Sequence, residues 1–176
     1  MFTMFNGCVS KTTAINKQIL QKEMHINFDG LKILERIEEI KMMCDRNNPI
    51  YEQISNYSIA LYSLGFFDVP DIMEVDDLDE IEAAEFLKLH FEEVKKFALP
   101  PNYMISESTE RYLLVIGNPE FPIHFAALID TAKDKPYFSK LKFMGSGFDS
   151  LQELINEFQV EEKISMEDIH LFRKIS

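Results

Sequence analysis

Tryptophan is absent from this 176-residue chain, and cysteine, glycine and proline are scarce at two, six and seven. So little glycine and proline excludes collagenous and low-complexity architectures. Cys8 and Cys44 form no CxxC pair, and His25, His90, His124 and His170 form no HxxxH or HExxH, which excludes a zinc ribbon and a disulfide scaffold. A Cys8–Cys44 bridge stays open beside a buried thiol in a reducing compartment. Basic residues are also few: 18 Lys and Arg stand against 30 Asp and Glu, a net charge of −12. Such a surface repels nucleic acid and anionic membranes, both polyanions. No run approaches the ~18 apolar residues of a membrane span. Residues 1–17 lack the basic region and the long apolar region of a secretory signal. The expectation is a cytoplasmic protein.

What is present is a globular composition, 46% hydrophobic and 27% charged, of a length that suits one domain. Residues 1–27 are weakly periodic and read as an arm or short helix, and 28–176 as a single α+β domain with a helical part to residue 98. From Asp29 to Cys44 an apolar stripe of Ile33, Ile37, Ile40 and Cys44 predicts a helix. A second is predicted from Ile50 to Leu64, closed by Gly65. A third is predicted from Asp79 to Phe97, with Ile81, Ala84, Leu87, Phe91 and Val94 on its inner face and Lys95 and Lys96 at its end.

After Leu99-Pro100-Pro101 the pattern changes. Tyr112-Leu113-Leu114-Val115-Ile116, Ile123 to Ile129, and Tyr137 to Phe143 read as three strands of an antiparallel meander. In the last of these Lys140 and Lys142 are expected on a solvated face. Gly145-Ser146-Gly147 reads as a turn leading into a helix carrying Leu151, Leu154, Ile155 and Phe158, capped by Asp149 or Ser150. Ser165-Met166-Glu167-Asp168 suggests a last short helix ahead of Ile169 and Phe172. The expected fold is α+β: N-terminal helices, a small three-stranded antiparallel sheet and C-terminal helices.

The most unusual feature is acidic. Asp71, Glu74, Asp76, Asp77, Asp79, Glu80, Glu82 and Glu85 occur between residues 71 and 87 with no Lys or Arg among them. In part they complement a helix dipole, and their order fits no EF-hand loop. As a group they point to a basic protein partner, with Glu74, Asp76, Asp77, Asp79, Glu80, Glu82 and Glu85 as the contact surface. The chemistry-bearing alternative is a small enzyme or ligand site using His124, Asp130 and the Gly145–Gly147 turn, with Gly145, Ser146 and Gly147 cradling an anion. The turn is neither GxSxG nor a P-loop, and no nucleophile stands at a diagnostic offset from His124. The aromatic–lysine alternation of residues 137–143 matches no RNA-binding motif. No metal or cofactor is expected, and the oligomeric state is open.

Between about Phe86 and Phe158 the order of features is similar to the SUKH superfamily. A helix leads to Leu99-Pro100, a strand ends in Gly117, a second ends in Asp130, and a third leads into Phe148-Asp149-Ser150-Leu151-Gln152-Glu153-Leu154-Ile155. The resemblance implies a cytosolic immunity-type protein that neutralises a toxin, often a nuclease, by binding rather than catalysis.

Overall fold

The computed structural model describes residues 28–47, 54–95 and 98–176. Cys8, the expected arm at 1–27, the proposed start of the second helix at Ile50 and the expected Lys96 helix end lie outside them. Helix α1, Phe28–Met43, buries Ile33, Ile37 and Ile40 on the stripe the sequence shows, and Cys44 follows, also buried. Helix α2, Asn56–Ser63, is capped by Ser55, whose hydroxyl accepts from Ser58 N–H. Every residue from Tyr57 to Ser63 is buried, so this helix has no solvent face.

Helix α3, Glu80–His90, opens with a capping box in which Asp79 and Glu82 each bond the other's backbone. It is shorter than expected. At Phe91 the backbone becomes extended and strand β1, Phe91–Glu93, begins. Phe91 and Val94 continue the helical spacing, but β1 pairs antiparallel with β6, Ile169–Lys174, at the far end of the chain. That long-range pairing overrides the local periodicity.

The expected three-stranded sheet is incorrect. Among the described residues the sheet has six strands in the order β1-β6-β2-β3-β4-β5, every pair antiparallel. Strands β2 (Tyr112–Asn118), β3 (Phe121–Leu128) and β4 (Tyr137–Leu141) are the three read from the sequence. The extra three are β1, β5 (Gly145–Asp149) and β6. Strand β5 occupies the supposed Gly-Ser-Gly turn, where Gly145 has φ +70° and Ser146 N–H donates to Cys44 O. A Cβ on Gly145 would stand 2.5 Å from Asp45 O. Gly145→Ala is therefore expected to destabilise the fold by about 1–3 kcal/mol in a urea melt. A loss below measurement error would show that the α1–β5 junction relaxes freely. Of the expected last helix only a 3₁₀ turn forms, Met166–Asp168, before the chain enters β6.

Both faces of the sheet are covered. His124 and Phe125 are neighbours on β3 and so point to opposite faces. Phe125 meets the Tyr57 ring of α2 edge-on, whereas His124 lies against Phe158 of helix α4, Leu151–Glu162. This explains why β4 is buried at all five positions, Lys140 included, and the expected solvated lysine face is corrected to Lys142 alone. Helix α4 is capped by Ser150 in a second capping box, with Glu153. A single core cluster runs from Ile33 to Phe172, joining the helical part to the sheet.

Candidate functional site

Three features bear on function: the acidic segment, an apolar groove beside it, and a split in the sheet. In the acidic segment, four carboxylates carry local structure. Asp71 accepts from Met73 N–H, and Asp77 accepts from Ser55 N–H and the Ser58 hydroxyl, tying the segment to the start of α2. Asp79 and Glu82 form the capping box. The other four, Glu74, Asp76, Glu80 and Glu85, are exposed. Among the described residues none of the eight is paired with a Lys or Arg. Support of a helix start, which the sequence suggested through the helix dipole and the structure provides through caps, thus coexists with an outward negative surface, divided residue by residue.

The groove lies between α3 and the β2–β3 turn and encloses about 650 Å³. Its apolar wall is formed by Ile81, Ala84, Leu87, Phe91, Phe121 and Phe172. Ile81 was expected on the buried face of its helix. Instead α3 turns Ala83 and Leu87 inward and leaves Ile81 64% exposed. Phe121, the first residue of β3, is 59% exposed. Neither was singled out from the sequence as a surface residue, because apolar side chains at regular spacing read as core.

The split lies between β3 and β4, which pair only at Ala127–Phe138 and Leu128–Tyr137. Beyond these positions the strands part, and the chain entering α2 is bonded to both. Phe125 N–H donates to Asn56 Oδ1, the Tyr57 hydroxyl donates to Pro122 O, and Lys140 Nζ donates to Ile54 O. A cavity of about 550 Å³ opens here, with His124 and Lys140 in its wall and Glu80, Lys142 and Glu162 among its exposed residues. Burial, reinforced by the Arg46 charge, pushes the His124 imidazole down to about 3. Such an imidazole stays neutral at neutral pH and is a weak proton acceptor. Burial, with the Glu80 charge, pushes the Tyr57 phenol up to about 12, so it too is neutral.

The enzyme constellation read from the sequence does not converge. Asp130 lies six residues beyond His124 along a nearly extended chain, about 20 Å away, and its carboxylate accepts from Ala132 N–H. Gly145 and Gly147 do not line the cavity. The anion-cradling turn is a strand, and the Ser146 N–H it would have offered is bonded to Cys44 O. The sequence reading also missed Arg46, which clamps Asp149 with both terminal guanidinium nitrogens, joining the loop after α1 to β5. A spacing of 103 residues leaves no local signal for such a pair.

Comparison with protein-family models, with curated proteins and with solved structures gave no match. Among the described residues no helix is long and apolar enough to cross a membrane, and no group of three or more His, Cys, Asp or Glu side chains is placed to hold a metal.

Proposed function

We propose that the chain is a non-enzymatic binding protein of the immunity or inhibitor type, whose acidic segment from Glu74 to Glu85 occludes a basic, nuclease-like partner. The observation that carries this reading is the set of exposed carboxylates, Glu74, Asp76, Glu80 and Glu85, that have neither a capping duty nor an ion pair with Lys or Arg among the described residues. Uncompensated charge of one sign repels itself and lowers stability, so its concentration on one segment favours a role outside the fold. A partner that grips phosphate through Lys and Arg would find those groups neutralised on this surface, and steering would speed the encounter. The SUKH-like order of features from residue 86 to 158 agrees with occlusion rather than catalysis, in the cytoplasm.

The test compares the wild-type chain with a Glu74→Lys, Asp76→Lys, Glu80→Lys, Glu85→Lys variant as baits in lysate of the native host. Asp77 and Asp79 are kept, because they hold α2 and α3. The expected result is a basic protein held by the wild type at low salt, released at high salt and not held by the variant. Once purified, that protein should lose its activity when the wild-type chain is added in stoichiometric amount. Equal capture by both baits, or none by either, would remove the reading.

A further inference from the structure

The acidic segment borders an apolar groove that the described residues leave unfilled. On α3, Ile81 and Ala84 line the groove, with Glu85 on its edge. Across from them, Phe121 stands at the start of β3, next to Glu120 of the turn. Ile81 and Phe121 are each more than half exposed, although Ala83 and Leu87 on the same helix are buried. Two large apolar side chains converging at one groove, with carboxylates around them, form the arrangement of a binding surface: an apolar centre that gains by leaving water and a charged edge that selects the partner.

Resting on the binding reading above, we propose that this groove is the anchoring site of the partner, and that it takes a basic amphipathic segment whose apolar side chains insert between Ile81 and Phe121. Charge decides between possible occupants. Among the described residues the edge carries Glu85, Glu93 and Glu120 against one cation, Lys88. Glu93 also bonds the His170 ring, which leaves Glu85 and Glu120 as the outward-facing pair. A second copy of this face would set carboxylate against carboxylate, which is unfavourable in a site that excludes water. An anionic lipid surface is repelled for the same reason. A segment with Lys or Arg flanking apolar residues satisfies both the floor and the edge, and it extends the acidic surface of residues 74–85 with an anchor that charge alone does not supply.

The experiment uses the full chain and two synthetic peptides of equal charge: one alternating leucine and lysine faces with helical period, the other with serine in place of every leucine. Binding is followed by fluorescence anisotropy of labelled peptide, and contacts by NMR of the Ile81 and Ala84 methyl groups and the Phe121 ring. The leucine–lysine peptide should bind saturably and shift these signals, and the serine peptide should bind at least tenfold more weakly, since burial of a large apolar side chain carries at least that factor. An Ile81→Ser, Phe121→Ser variant should lose about tenfold in affinity with an unchanged salt dependence. These two side chains are exposed, so an unchanged melting temperature will show that folding is intact.

If both peptides bind alike and only the Glu74, Asp76, Glu80, Glu85 reversal weakens them, the groove proposal fails while the acidic-surface reading stands. If neither peptide binds, both fail for basic partners. A dimer in sedimentation that Ile81→Ser dissolves would make a second copy the occupant and overturn the proposal. So would carbodiimide cross-links within one chain from Lys11, Lys17 or Lys22 to Glu85 or Glu120, which would assign the groove to residues 1–27.

Discussion

Replacing Asp149 with alanine is expected to destabilise the protein by about 3 kcal/mol, the low end of what losing one partner of a buried ion pair costs. The Asp149 side chain is 3% exposed and accepts from both terminal nitrogens of Arg46, whose own side chain is 24% exposed. Without the carboxylate, the guanidinium keeps most of its desolvation cost and loses its counter-charge. It cannot easily withdraw, because its stem lies against Gly147, where an added Cβ would come within 2.9 Å of Nε. For a domain of this size the loss corresponds to a fall in melting temperature of about 10 °C. Arg46→Met combined with Asp149→Leu should recover a good part of it, since an apolar pair of similar volume carries no desolvation cost. A single-variant loss below about 1 kcal/mol would mean that the pair is solvated and does not tie the loop after α1 to β5.

The second large effect depends on pH. His124 is fully buried, and its imidazole holds no proton until about pH 3, whereas in the unfolded chain it takes one near 6.5. Between these values the unfolded state binds more protons than the folded state, so stability falls as pH falls. The slope is about 1.4 kcal/mol per pH unit once the unfolded imidazole is mostly charged, and from pH 7 to pH 4 this one group accounts for about 3 kcal/mol. Carboxylates act in the lower part of the same window. Glu153 is held down to about 2 in the folded protein, chiefly by Lys135 and Ser150, so as pH falls below about 4.5 the unfolded chain takes up this proton first and stability falls further. His124→Gln separates the two effects: the variant should lose less stability on acidification, by about 3 kcal/mol at pH 4, in urea melts repeated across the window. Parallel pH profiles for variant and wild type would show that the imidazole reaches water in the folded state.

His124 belongs to a wider condition of the β3–β4–β5 side of the sheet. Five buried side-chain atoms among the described residues have no hydrogen-bond partner in the protein: Arg46 Nε, His124 Nε2, Tyr137 OH, Ser139 Oγ and Ser146 Oγ. All belong to β3, β4, β5 or the loop packed on β5. Each buried unsatisfied group costs roughly 1–3 kcal/mol, so this is the side of the fold where a polar core is maintained against its own energetic cost. In β1, β2 and β6 the corresponding interior is apolar throughout, with Leu113, Leu114, Val115, Leu171 and Phe172 buried. The split between β3 and β4 lies on this same side, where Phe125 N–H, Pro122 O and Lys140 Nζ bond the chain entering α2 rather than the facing strand.

Local chemistry accounts for the elements that can be read along the chain. The Ile33–Ile37–Ile40 stripe buries as its spacing requires. Ser150, one of the two caps the sequence offers, closes the first turn of α4, because a side-chain oxygen satisfies the N–H groups of a first turn wherever that turn forms. Strands β2, β3 and β4 are legible as apolar runs bounded by turn residues, and the α+β class follows from them. The acidic segment is legible as composition.

The tertiary structure alone decided the rest. Residues 91–93 fit a helix by period and form a strand, because β6, some eighty residues later, offers backbone partners that a helix would leave unused. Gly145-Ser146-Gly147 has the composition of a turn, yet it completes a sheet edge against β4 and receives Cys44 O. Ile81 carries the hydropathy of a core residue and lies in an open groove, because the direction in which α3 rolls is set by Ala83, Leu87 and the sheet beneath them. Periodicity reports which side chains can share a face. Which face is covered, and which strands meet, depends on contacts between residues far apart in the chain, and these contacts leave no imprint on local spacing.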